Sequence, residues 1–363
     1  MNKRVVITGM GVAAPNAHGL DNFEKALREG LSGIRFQPLL ADLKFGCQIA
    51  GVPENFEAIR KSYFDREKLM SINDNIGYAS VSAVDAWTDA GFSMPDADDD
   101  TVDWDTGVIA GSGIGGMDTI ALSVVPMINE GRVRRLGSRV VEQVMNSGTS
   151  ARIGGLIGAG NKVTSNSSAC STGNEAVGGA MLLLEDLETA LARRARIYAE
   201  VVGGAVNSGG QRMGGSMTAP NPEGVKRCIR AAVADAAIDV AQVDAINGHL
   251  TATYADPIEV RNWADVLERT PDSFPYINST KSLIGHCLGA AGAIECVASV
   301  LQVYRGFLHP SINCEDVHPD IMPYAAKIPQ SCMEFPELKY LAKAGFGFGD
   351  VNSCIIFKKW EEK

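Results

Sequence analysis

The chain repeats one design at two places. Residues 3–16, KRVVITGMGVAAPN, run from a basic residue through a β-branched apolar stretch into a glycine turn that closes on small polar residues. Residues 196–209, RIYAEVVGGAVNSG, follow the same plan. A short, continuous, β-branched run such as residues 4–8 is what a strand buried on both faces requires. Each copy opens a stretch of similar order: strand, long helical region, strand, polar turn. Any two buried strands look somewhat alike, so the echo alone decides little. A chain of 363 residues, however, has room for about two ordinary domains. Together, repeat and length predict two similar α/β halves.

The remaining runs fit that order. NFEKALREGLSG places Phe23, Ala26 and Leu27 at helical spacing, with Gly30 near the stop. Residues 104–116, WDTGVIAGSGIGG, read as a strand ending in glycines, and 161–170, NKVTSNSSAC, as another that turns at Cys170. Charge then narrows the function. Lys and Arg number 33 against 43 Asp and Glu, a net charge of −10, which argues against nucleic acid as the main partner. No run of 18 apolar residues predicts a membrane span. Eight scattered cysteines without a C-x-x-C pair argue against a disulfide scaffold or structural zinc site, and for reduced thiols in a cytoplasm. The basic, then apolar, N-terminus mimics a secretory leader, but Gly9 and Gly11 interrupt it and a first strand is the better reading.

Four segments hold residues able to do chemistry. In SNSSACSTGNEA, a thiol at a strand-to-helix turn meets the free N–H groups of a helix start, which favour thiolate at Cys170; a small buried hydrophobe would read the same way. In DAINGHLTATYADP, an apolar strand ends at Asn247 and His249 stands in a polar turn with Thr251 and Thr253. Open α/β sheets place reacting groups at such strand ends, although a satisfied surface histidine has the same appearance. In INSTKSLIGHCLGAAGAIECVASVL, Lys281 and His286 precede a helix rich in Gly and Ala that other backbone can approach. A helix start disfavours imidazolium and keeps His286 a neutral donor; a tightly packed helix with an incidental histidine is the alternative. In AGFGFGDVNSCIIF, Gly345, Gly347 and Gly349 alternate with Phe346 and Phe348. That loop could bring backbone N–H groups to a substrate beside an aromatic gate, or simply turn the chain before an edge strand.

Other signals are weaker. GSGIGG (111–116) matches a dinucleotide fingerprint, but no acidic residue ends a following strand at the expected distance. It is the basis of an alternative reading as a nucleotide-binding oxidoreductase. His309, Cys314 and His318 lack a fourth ligand. GRVRRLGSR (131–139) groups Arg132, Arg134, Arg135 and Arg139, either a solvated face or a docking patch for an acidic partner.

In this order, the four segments resemble the β-ketoacyl-acyl-carrier-protein synthases, the decarboxylating condensing enzymes of fatty-acid and polyketide synthesis. SSACSTG resembles the family's nucleophile motif, NGHLTAT its first histidine motif, STKSLIGHCLGAAGA its lysine–histidine motif and GFGFGDVN its glycine–phenylalanine loop. The opening RVVITGMGVAAP and closing IIFKK fit as well, so the likeness runs nearly end to end. It implies a thiolase-like α/β fold of two duplicated halves, 1–190 with the nucleophile and 191–363 with both histidines, layered α/β/α/β/α. It implies Cys170 as the acylated nucleophile, with His249 and His286 assisting decarboxylation and stabilising the enolate. Lys281 would support the pair electrostatically, and Thr251 and Thr253 would contact a phosphopantetheine arm. Phe348 would be the gating aromatic, its N–H joining that of Cys170 as an oxyanion hole, with Phe346 lining the pocket. Arg134 and Arg135 would dock the acyl-carrier protein. The resemblance also implies a cytoplasmic dimer and no metal or organic cofactor. A non-catalytic chain-length partner subunit is the alternative within the family; retention of Cys170, His249 and His286 argues against it.

The sequence departs from the family in places. Leu250 stands where Gly is usual, Gly248 where Ala is usual and Asp350 where Gly is usual. Between Cys170 and GGAMLLLEDLETALARRARIYAE, a long stretch of the family's chain is missing. Read as one helix, residues 171–196 would carry Gly173, Gly178 and Gly179 in their first turns, each costing about 1 kcal/mol relative to Ala. The expectation is therefore a break between Glu175 and Ala180, with 180–184 as strand and a helix beginning at Asp186.

Overall fold

The computed structural model describes residues 3–96, 98–175 and 179–362. The elements that position the site begin with strand β1 (Val5–Ala14), helix α1 (Asp74–Asp89), strand β2 (Val108–Gly111), helix α2 (Ser147–Ile157) and strand β3 (Val163–Asn166). Helix α3, described over Thr172–Glu175, strand β4 (Ala180–Asp186) and helix α4 (Leu187–Ala192) follow. The second round runs β5 (Ala199–Ser208), α5 (Pro222–Asp235), β6 (Ala245–Asn247), α6 (Asp256–Leu267) and β7 (Tyr276–Asn278). It closes with α7 (Lys281–Ile284), α8 (Ala291–Arg305) and the hairpin β8 (Tyr340–Gly347) and β9 (Val351–Lys359). The two echoes in the sequence are thus β1 and β5.

Local chemistry sets the helix ends. The Asn73 side chain accepts the Ile76 N–H at the start of α1, and Asn221 accepts those of Glu223 and Gly224 at the start of α5. The early helix Leu20–Glu29 stops at Gly30, whose φ of 65° lets its N–H turn back to the Ala26 and Leu27 carbonyls.

Strands β7, β6, β8, β9, β5 and β1 lie side by side in that order in one sheet, and β4 runs antiparallel along β1. β6 is parallel to both of its neighbours, while β8–β9, β9–β5 and β5–β1 are antiparallel. The architecture is therefore mixed α/β. Every residue of α8 from Ala291 to Val303 is buried. A helix buried all round has to lie between layers, and α8 packs in one core with β1, β4 and β8.

The strands and helices named above follow the same order in both rounds up to the nucleophile turn, with further short elements inserted in the first, within residues 17–69 and 117–144. In the second round the long α8 leads to β8, which bridges β6 and β9. In the first, no strand among the described residues joins β2 to β4 side by side as β8 joins β6 to β9, and β2 and β3 pair with each other in a separate two-stranded sheet. The expected break falls on residues 176–178, which lie outside the described residues. Beyond them, residues 180–184 are strand as expected, and Asp186 caps α4 by accepting the Glu188 N–H.

Candidate active site

Three strand ends and one helix turn converge on Cys170. β3 ends at Asn166, and Cys170 sits in the short turn Ala169–Ser171 ahead of α3. Ala169 holds a left-handed φ of 49°, strain that persists only where surrounding contacts fix it. Those contacts come from the β8–β9 hairpin. The Ser171 hydroxyl lies 3.0 Å from the Gly345 carbonyl and 2.9 Å from that of Val351, and the Asn174 amide donates to the Ser353 hydroxyl at 2.9 Å. Gly347 is needed here for close approach: a Cβ on it would lie 2.8 Å from the Ser168 carbonyl and 3.0 Å from the Cys170 and Ser171 nitrogens.

Burial raises the Cys170 thiol above its ordinary range, against the pull of the Phe348 N–H, the Lys281 charge and its own N–H. The thiolate preference expected from a helix start is therefore outweighed, since burial dominates. A base must take this proton. Ligand-type atoms of Cys170, His249 and His286 all lie within 4.8 Å of one another. Among the described residues this is the one such set, and in donor type it could seat a soft cation.

His249 follows β6, and its ring stands 5.5 Å from that of His286, nearly perpendicular, and 6.0 Å from buried Phe346. Burial holds it well below the usual imidazole range, with Lys281, Lys343 and His286 pushing the same way. Its Nδ1 is buried without a hydrogen-bond partner. The turn is fixed by Glu259 on α6, which accepts the N–H of His249 at 2.7 Å and of Leu250 at 2.9 Å. Burial pushes Glu259 up to about 7. Asp256 accepts the Thr251 and Ala252 N–H groups, and the Thr251 and Thr253 hydroxyls lie 3.1 Å apart on the more open side.

His286 follows α7 with one edge exposed. Its Nδ1 accepts the Leu288 N–H at 3.1 Å, so a neutral ring carries its proton on Nε2. Burial of its inner face, then the Lys281 charge, lowers it to about 4. Behind both rings Lys281, Glu295 and Lys343 are buried together. Lys281 Nζ is 2.5 Å from Glu295 Oε1 and Lys343 Nζ is 2.9 Å from Oε2. Burial alone would raise Glu295, but the two ammonium groups hold it below the ordinary carboxylate range.

Phe348 is 56% exposed at the tip of the β8–β9 turn. Arg134 and Arg135 stay exposed in the turn Val133–Arg135, with no ion pair among the described residues. The GSGIGG loop is occupied by packing: a Cβ on Gly289 would lie 2.5 Å from the Gly113 nitrogen, so these glycines let the loop close on the lysine–histidine segment. His309 is a buried brace, its ring 3.0 Å from the Thr280 hydroxyl and 2.9 Å from the Pro310 carbonyl. Sequence reasoning missed Glu259, Glu295 and Lys343. A lone acid in an otherwise apolar helix was the signal for Glu295.

Known proteins match the chain from end to end. The model for the N-terminal domain of β-ketoacyl synthases matches residues 2–208, and that for the C-terminal domain residues 198–315. A 3-oxoacyl-[acyl-carrier-protein] synthase 1 of Escherichia coli is 29% identical over 424 aligned positions, covering 99% of this chain and all of the relative. The alignment exceeds the chain's 363 residues, so the relative carries about sixty residues that have no counterpart here. A chloroplastic 3-oxoacyl-[acyl-carrier-protein] synthase I of barley, Hordeum vulgare, is 30% identical, covering 98% of this chain and 89% of the relative. Among solved structures, a β-ketoacyl synthase from Burkholderia phymatum superposes with a TM-score of 0.86 at 25% identity, over 99% of this chain and all of the other.

Proposed function

This chain belongs to the β-ketoacyl synthase family, and we propose that it condenses an acyl group held on Cys170 with malonyl-acyl-carrier protein. The observation that carries the reading is the convergence of one thiol and two neutral imidazoles within 4.8 Å. In the first step a histidine takes the thiol proton, sulfur attacks the acyl thioester, and the carrier thiol leaves with that proton. In the second step the malonyl thioester loses carbon dioxide. The enolate oxygen then accepts hydrogen bonds from the N–H groups of the two imidazoles, which burial keeps neutral. The enolate carbon attacks the acyl-Cys carbonyl, whose oxyanion meets the N–H groups of Cys170 and Phe348. Collapse expels Cys170 and releases β-ketoacyl-acyl-carrier protein.

In this reading Thr251 and Thr253 meet the pantetheine arm, Phe346 lines the pocket and Phe348 gates it. Lys281 acts as the charge behind the histidines. The division into 1–190 and 191–363 is proposed on the repeat of β1 and β5. Eight free thiols support a reducing, cytoplasmic setting, and no helix among the described residues is long and apolar enough to cross a membrane. Exposed Ile114, Leu122, Ile128 and Val141 support a dimer. Mass spectrometry after incubation with a panel of acyl-carrier proteins tests the reading. An acyl-sized mass gain on the Cys170 peptide, discharged by malonyl-carrier protein, is expected; no gain with any chain would overturn it.

The carrier is proposed to dock on Arg134 and Arg135. Replacing both by Glu should raise KM for the carrier substrate about tenfold and leave a short thioester mimic nearly unaffected. The difference should shrink as salt rises, since exposed charges are screened. Equal losses on both substrates would remove the docking role.

A further inference from the structure

Glu295 shares one negative charge between two buried ammonium groups. Lys281 comes from α7, Glu295 from α8 and Lys343 from β8, where it pairs in register with Asn247, two residues before His249. Lys343 is fully buried, and its ammonium also donates to the Ala344 carbonyl. Stability does not ask for this arrangement. Lys281 alone neutralises Glu295, and a second ammonium adds desolvation without a second carboxylate to offset it. We propose that Lys343 is a positioning residue: by holding one oxygen of Glu295 it prevents the Lys281–Glu295 pair from cancelling, and leaves one net positive charge behind the two histidines.

The inference rests on the condensing reading above, and it explains what the surplus charge would do there. Thiolate, enolate and oxyanion each put negative charge in front of the trio, in a site dry enough for a buried cation to act strongly. The same charge disfavours protonation of the rings that must stay donors. The ionisable groups around them are few. His249 faces Lys281, Lys343 and His286, with its backbone on Glu259; His286 faces Lys281, Glu295 and Lys343; and Cys170 faces Lys281 and Glu295.

Charge arithmetic gives a test that packing alone cannot imitate. The trio carries +1 in the native chain, 0 in Lys343→Met, +2 in Glu295→Gln and +1 again in the double variant. Titration of labelled histidines by NMR on the full chain should show both ring midpoints rising in Lys343→Met, falling in Glu295→Gln and returning in the double variant. Lys343→Arg should behave as native. Carbon dioxide release from malonyl-carrier protein should fall about tenfold or more in Lys343→Met and recover in the double variant. Unchanged midpoints in Lys343→Met, or a double variant worse than either single one, would overturn the proposal. If Glu295→Gln does not fold, Lys343→Met, Lys343→Arg and the double variant still decide it. Ring titration needs no turnover, so a native chain that neither acylates nor decarboxylates would refute the condensing reading separately.

Discussion

A Cys170→Ala chain should form no detectable β-ketoacyl product, a loss of at least about a thousandfold, while still releasing carbon dioxide from malonyl-carrier protein. The two activities separate because the acyl group has nowhere else to go, whereas the donors for the enolate remain. Among the described residues, no other thiol is grouped with the two histidines. Burial pushes Cys228, Cys287 and Cys296 up to about 12 and holds Cys354 above the ordinary thiol range. Cys47 is exposed, so a general alkylating reagent will reach it, and labelling there should not track activity. Product chromatography and site-by-site peptide mapping check both statements. Residual condensation in Cys170→Ala, or activity lost in step with Cys47 labelling, would reassign the nucleophile.

His249→Ala and His286→Ala should each lower decarboxylation by about 10²–10³, the usual effect of removing one preorganised donor, with acyl transfer to Cys170 still measurable. The pH dependence follows from the neutral form being the working one. Burial holds His286 at about 4, so activity should rise with pH through about 4 and be flat by pH 6. An ordinary imidazole would put that limb near 6.5. Carbon dioxide release from pH 3.5 upward, with far-UV circular dichroism confirming that the chain stays folded, checks the position. A limb near 6.5, or native rates in both alanine variants, would contradict the assignment.

What could be read from the residues was whatever local order expresses. β1 is a continuous apolar run, so its burial is written in its composition, whereas β5 is buried at its start and alternates with exposed residues toward its end. Cys170, His249 and His286 stand in short runs of small and polar residues whose order along the chain carries the resemblance. Partners supplied by distant elements left less trace. Lys343 interrupts an apolar strand and looks like a surface position until Glu295 meets it from another layer. Glu259 reads as one more helical acid until its carboxylate is seen accepting two N–H groups of the His249 turn. The Cys170 thiol shows the limit of local argument: a helix start lowers such a group, but the depth at which the fold sets it raises it more. That no described strand joins β2 to β4 in the sheet shows in the sequence only as a short interval after the nucleophile.

The turn that holds Cys170 is kept in shape by residues that lie far along the chain. Ser171 reaches Gly345 and Val351, Asn174 reaches Ser353, and Gly347 yields its side-chain space to the nucleophile's own backbone. A chimera joining the first portion of this chain to the closing portion of a relative would therefore have to import a hairpin of matching depth, with nothing larger than glycine at 347. Otherwise the left-handed backbone at Ala169 has no reason to persist and the sulfur leaves its post. Exchange of segments between such chains is limited by this seam rather than by the chemistry on either side of it, and residues 169–174 and 345–353 can vary only as a set.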